Sequence, residues 1–106
     1  MSGSVSTVTD ADFQKFTGQQ GVVLVDFWAP WCGPCRRVAP VIEQLSGEMA
    51  NVKFGKLNTD ENQMTAARNG VMSIPTIMIW KNGTKVEQIV GAVPKEHFQA
   101  ALKKHL

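Results

Sequence analysis

The apolar positions of this chain fall into short runs of two different periods. From Val22 to Trp28 every residue except Asp26 is apolar, and β-branched and aromatic types dominate. Such a run describes a strand buried on both faces, the habit of a central parallel strand. Beyond the Ala29-Pro30 turn the spacing lengthens, and Cys35, Val38, Ile42, Leu45 and Met49 recur as on a helix with one buried stripe. Pro40 lies inside that helix, where it removes one backbone hydrogen bond and should bend the axis. Upstream, Thr9 to Phe16 opens on a capping residue, carries Asp10 and Asp12 in its first turn and spaces Phe13 and Phe16 as one helical face. It predicts a short amphipathic helix, with Gly18 and Gly21 at its exit.

The second half of the chain continues the alternation. Val52 to Leu57 reads as another parallel strand, Asp60-x-x-Gln63 as a capping box opening a short helix, and Asn69-Gly70 as its left-handed stop. Pro75 to Trp80 and Thr84 to Val90 are β-rich runs joined by Asn82-Gly83, a strong hairpin signal, so they should pair antiparallel. Pro94 at a first helical position, followed by Phe98, Ala101 and Leu102, predicts a closing amphipathic helix. The expected fold class is α/β, a mixed sheet with helices on both sides.

Composition narrows the function. The chain has 106 residues, 43% hydrophobic and 19% charged, which fits one domain spanning 1–106. Eleven Lys and Arg against nine Asp and Glu give a net charge of +2, too little to predict nucleic-acid or anionic-membrane binding. No apolar run approaches the ~20 residues of a membrane span, and residues 1–7 lack a basic or apolar leader pattern. The expectation is a soluble protein without a targeting signal.

The two cysteines, Cys32 and Cys35, close too short a loop to staple a fold, so a reactive purpose is favoured. A C-x-x-C pair alone is read as zinc, redox or haem chemistry. Zinc needs four ligands, and the other good candidates, His97 and His105, are separated by ~12 Å of helical rise. Both are expected at solvated positions of the last helix. Cys32 should stand at the first turn of a helix, where free N–H groups and the helix dipole favour a thiolate. Arg36 and Arg37 add positive potential, which lowers the pKa of Cys32 below the ~8.5 of a free thiol. Cys35 lies one turn deeper on the buried stripe. The expected division is an exposed thiolate that attacks and a shielded thiol that resolves. Gly33 allows close approach of a partner backbone, and Pro34 fixes φ in the first turn without loss of a helical hydrogen bond.

Two further residues break the apolar pattern. Asp26 is the one charge in its buried strand, and an unpaired buried carboxylate should have a raised pKa. Strand parity puts Lys56 on the face of Val52 and Phe54, making it a natural partner for Asp26. Asn82-Gly83-Thr84 also fits an N-glycosylation pattern, but the hairpin explains Asn-Gly without it.

Val-Asp-Phe-Trp-Ala-Pro-Trp-Cys-Gly-Pro-Cys at 25–35, Ala39-Pro40, Lys56-Leu57-Asn58, Ile74-Pro75-Thr76, Lys81-Asn82-Gly83 and Gly91-Ala92 occur in that order. Together they resemble the thioredoxin family, of the bacterial or chloroplast m-like kind, over nearly the whole chain. The resemblance implies about five strands and four helices. It also implies a disulfide reductase, since the Gly-Pro pair between the cysteines is similar to that of reducing members. Asp26 would then be the general base for the resolving Cys35, with Lys56 modulating it. Pro75 would be a cis proline facing the dithiol, leaving the Ile74 backbone open to pair with an extended substrate. Trp31, Met72, Ser73, Ile74, Gly91 and Ala92 would form an apolar groove, and Trp28 would pack beside the site. The resemblance further implies disulfide-containing protein substrates, a thioredoxin reductase driven by NADPH or ferredoxin, no cofactor of its own, a monomer and a cytoplasmic location, or an organelle stroma or matrix. A non-redox binding subunit or chaperone using the same groove is the competing reading. Trp80, where a smaller apolar residue or Phe is usual, and Arg36, where Lys is common, depart from the pattern.

Overall fold

The computed structural model describes residues 4–106. Their order is β1 (Val5–Thr7), α1 (Phe13–Thr17), β2 (Val22–Trp28), α2 (Gly33–Glu48), β3 (Val52–Asn58), α3 (Gln63–Arg68), β4 (Thr76–Lys81), β5 (Thr84–Val90) and α4 (Lys95–Lys103). The strands form one sheet in the order β1-β3-β2-β4-β5. β3 runs parallel to both β1 and β2, while β4 runs antiparallel to β2 and β5. β2 is thus a central strand, and the continuous apolar run of Val22–Trp28 is what such a position requires.

Alternation along β2 divides the core in two. Val22 and Leu24 join Val52, Phe54, Ile77 and Ile79 on one face, packed against Val38, Ile42 and Leu45 of α2 and Phe98 and Leu102 of α4. Val23, Val25 and Phe27 join Val8, Leu57, Met78 and Trp80 on the other, covered by Phe13 of α1. Trp80 fills that second layer with its ring edge-on to Phe13 at 5.4 Å, which accommodates the larger side chain. Asn82 and Gly83 both have positive φ, 51° and 84°, as a two-residue hairpin of the expected kind demands.

One strand lies outside the pattern reading and three expectations shift. β1 has only three residues with a half-exposed pattern, so its apolar content carries no strand signal. α1 begins at Phe13 rather than Thr9, because Thr9–Asp12 forms a turn in which the Thr9 N–H and hydroxyl both donate to Asp12 Oδ1, at 2.7 and 3.1 Å. Pro94 caps α4 in an extended conformation (ψ 154°) instead of occupying its first turn. α3 begins at Gln63, past the Asp60 box, and its N-cap Asn62 makes no side-chain capping bond. The Thr65 N–H donates instead to Asp10 Oδ1 at 2.9 Å, a cap supplied from the far end of the chain.

Candidate active site

The strand β2 ends at Trp28, and the chain turns through 29–32 to enter α2 with Cys32 as the N-cap. The Cys35 N–H points at Cys32 Sγ, 3.2 Å away, so one free amide of the helix's first turn is spent on that sulfur. Pro34 sits in the first turn, where it costs no helical bond. Cys32 and Cys35 are joined in a disulfide, with Cα atoms 5.2 Å apart. Both are buried, at 4% and 2% exposure, so the expected contrast of an exposed and a shielded sulfur is not one of area in this oxidised form. Ala29, Trp28 and Ile74 pack around the pair and cover it. The two sulfurs differ in what they face. Cys32 Sγ lies 3.8 Å from the carbonyl oxygen of Ile74, whereas Cys35 lines a small inner cavity.

That inner cavity, of about 110 Å³, is walled by Asp26, Trp28, Cys35, Arg36, Ala39 and Lys56. Asp26 is 4% exposed, and its Oδ1 makes no hydrogen bond to the protein. Burial raises its pKa from 3.8 to about 7, against a smaller opposing pull from the Lys56 charge. Asp26 and Lys56 are register partners across β2 and β3. Lys56 lies on the expected face but is exposed, with its ammonium 6.0 Å from the centre of the Trp28 ring. Trp28 packs half-buried against the disulfide, and its Nε1 has no hydrogen-bond partner.

On the outer side of the disulfide a groove of about 420 Å³ is lined by Trp31, Thr59, Ala66, Val71, Met72, Ser73 and Ile74. The Ile74-Pro75 bond is cis. Four of the six expected groove residues line this hollow. Gly91 and Ala92 lie outside its lining, beyond Pro75, where the Gly91 N–H donates to the Pro75 carbonyl at 2.8 Å. Gly91 has φ of +100°, and a Cβ there would meet nothing within 4 Å. Its positive φ gives it a conformational need for glycine. Gly33 is likewise open, with no atom within 4 Å of a built Cβ, so a partner chain can approach it.

Three contacts of the site carry no local signal in the sequence. Asp60 accepts from Trp31 Nε1 at 3.0 and 3.3 Å and so holds the exposed indole against the β3–α3 loop. The Thr59 N–H and hydroxyl both donate to the Trp28 carbonyl, at 2.9 and 3.3 Å. Arg36 donates from Nη1 to the Pro30 carbonyl at 2.8 Å, bracing the turn before Cys32. Only the Trp-Cys context around these contacts could have suggested that a neighbouring loop must fasten there. His105, expected in solvent, is instead half-buried with Nε2 2.7 Å from Glu87, because α4 packs its end against β5.

A family model described as Thioredoxin matches residues 4–104. The chain belongs to the thioredoxin family. A thioredoxin of Porphyra purpurea is 50% identical over 105 residues, covering 97% of this chain and 98% of that protein. A thioredoxin of Bacillus subtilis is 51% identical over 104 residues, covering 97% and 99%. Among solved structures, a thioredoxin of Malassezia sympodialis superposes with a TM-score of 0.88 at 39% identity, covering 97% of this chain and 91% of that one. Fold and family agree with a redox-active pair of cysteines at the start of α2. The protein is accordingly a thiol–disulfide oxidoreductase of thioredoxin type, a protein disulfide reductase that works with a thioredoxin reductase and disulfide substrates.

Proposed function

We propose that Cys32 is the nucleophile, Cys35 the resolving thiol and Asp26 the proton acceptor in reduction of protein disulfides. The observation that carries this division is that Cys32 faces the groove carbonyl of Ile74 while Cys35 shares a small cavity with Asp26. In the reduced chain the Cys35 amide and the α2 N-terminus favour the Cys32 thiolate. That thiolate attacks one sulfur of the substrate disulfide, forming a mixed disulfide and expelling the other sulfur as a thiolate. Cys35 then gives its proton to the Asp26 carboxylate and attacks Cys32 Sγ. The mixed disulfide breaks, the second substrate thiolate leaves, and both substrate thiolates are protonated. Two electrons pass from the dithiol to the substrate, and the Cys32–Cys35 disulfide remains.

A base with a pKa of about 7 is matched to this proton transfer near neutral pH. Lys56 modulates it by its charge. Gly33, Pro34, Pro75 and Trp28 shape the site, and Trp31, Met72, Ser73 and Ile74 hold an extended substrate segment, with Gly91 and Ala92 on the far flank of Pro75. The large exposed apolar residues Trp31 and Met72, at 67% and 95%, both border this groove, which supports its use for docking.

The reading extends to a single-domain monomer of residues 1–106 that is re-reduced by an NADPH- or ferredoxin-dependent thioredoxin reductase in the cytoplasm. Among the described residues no helix is long and apolar enough to cross a membrane. The test is reduction of a protein disulfide driven by a reductase or by dithiothreitol. Wild type should turn over, and Cys32→Ser should not. A Cys32→Ser chain with undiminished turnover would refute Cys32 as the nucleophile, and a wild-type chain that binds the protein without reducing its disulfide would favour a binding subunit that needs no sulfur.

A further inference from the structure

Met72 is the most exposed of the large apolar side chains among the described residues, at 95%, yet it is not on a loose segment. On one side the Val71 N–H donates to the Ala66 carbonyl at 3.0 Å. On the other the buried Thr76 hydroxyl donates to the Ser73 carbonyl at 2.6 Å. The backbone is therefore pinned on both flanks, and the thioether is held out at the lip of the groove it shares with Trp31 and Ile74. The other methionines of the described residues are placed differently. Met49 and Met78 are buried at 7% and 0%, and Met64, at 55%, lies on α3 outside the groove lining.

Methionine oxidation follows exposure, and it turns a flexible apolar side chain into a polar one. We propose that Met72 is an oxidation-sensitive element of the docking wall: a peroxide converts its thioether to the sulfoxide and so weakens capture of protein disulfides. In the step the sulfur attacks one peroxide oxygen, the O–O bond breaks, and a sulfur–oxygen bond forms. The sulfur loses two electrons and hydrogen peroxide is reduced to water. In the oxidised chain both cysteine sulfurs are already engaged in the disulfide and buried, which leaves Met72 as the open sulfur nearest the groove. The added oxygen must be dehydrated whenever a substrate segment covers the wall, a cost that falls on docking and not on sulfur exchange. The proposal rests on the docking role given to this groove above.

The experiment treats the full chain, in its disulfide form, with hydrogen peroxide and maps oxygen uptake by peptide mass spectrometry. KM and kcat are then measured for a protein disulfide and for a small-molecule disulfide. Oxygen should appear at Met72 ahead of Met64, Met49 and Met78. KM for the protein disulfide should rise about threefold to tenfold, with kcat and small-disulfide turnover unmoved. Met72→Leu, compared with itself before and after peroxide, should lose that response. Oxidation of Met64 or a buried methionine ahead of Met72 would overturn the proposal, as would an equal peroxide response in wild type and Met72→Leu. Untreated Met72→Gln separates the two readings. A raised KM there supports docking at this wall whatever peroxide does, and a wild-type KM there removes the docking role itself.

Discussion

Asp26 and Lys56 stand opposite one another in adjacent parallel strands, yet the lysine does not offset the burial of the carboxylate. Lys56 reaches out to solvent beside Trp28, and its attraction across that distance is screened, while Asp26 keeps one oxygen without a hydrogen bond. Desolvation therefore governs, and the carboxyl titrates near pH 7.

The consequence for stability has a definite sign. The unfolded carboxyl titrates near 3.8 and the folded one near 7, so between those values the folded chain holds a proton that the unfolded chain has released. Stability falls as pH rises through that window and is level above it, by on the order of 4 kcal/mol in all. Asp26→Asn should remove this slope and be more stable than wild type at pH 8 by more than at pH 5. The same variant should slow disulfide exchange up to about a hundredfold at neutral pH, having lost its base. Urea unfolding and stopped-flow reduction at several pH values measure the two effects. A variant less stable than wild type, or equally fast at pH 7, contradicts the buried-base account.

The bond from Trp31 Nε1 to Asp60 makes a second prediction. Asp60→Ala should free the indole, lower its fluorescence anisotropy and raise KM for protein disulfides about threefold, with little change in kcat. Asp60→Asn keeps an acceptor oxygen in place and should restore both values toward wild type. An Asp60→Ala chain with unaltered anisotropy would show that the indole is held by packing alone.

Gly91 offers a test of backbone conformation near the site. At φ of +100° an alanine is strained despite the open space around it, so Gly91→Ala should destabilise the fold by about 1–2 kcal/mol. It should also disturb the Gly91 N–H bond to the Pro75 carbonyl. Thermal unfolding reads the first effect and substrate KM the second. An unchanged Tm would mean that this turn relaxes without cost.

Legibility in the sequence followed the range of the interaction. The apolar run of β2, the Asn82-Gly83 turn and the Cys32-to-Cys35 spacing are local, and each is readable from a few neighbouring residues. β1 is not, because Val5, Ser6 and Thr7 pair with Phe54, Gly55 and Lys56 mainly through backbone and only Val5 is partly buried. The cap of α3 comes from Asp10, more than fifty residues earlier, so the nearer Asp60 suggested a box that never forms. Asp60 and Thr59 belong to the site through bonds to Trp31 and to the Trp28 carbonyl, and nothing local marks them. The groove residues were reached through the family resemblance, since no local pattern brings Trp31 beside Met72, Ser73 and Ile74.

The assignment of the two sulfurs is tested most directly by trapping. Reduced Cys35→Ser and Cys32→Ser chains are each mixed with a protein disulfide and analysed by intact mass spectrometry. Cys35→Ser should accumulate a covalent substrate adduct at Cys32, because attack proceeds and resolution cannot. Cys32→Ser should accumulate none. An adduct confined to Cys32→Ser would reverse the roles of nucleophile and resolving thiol and contradict the account.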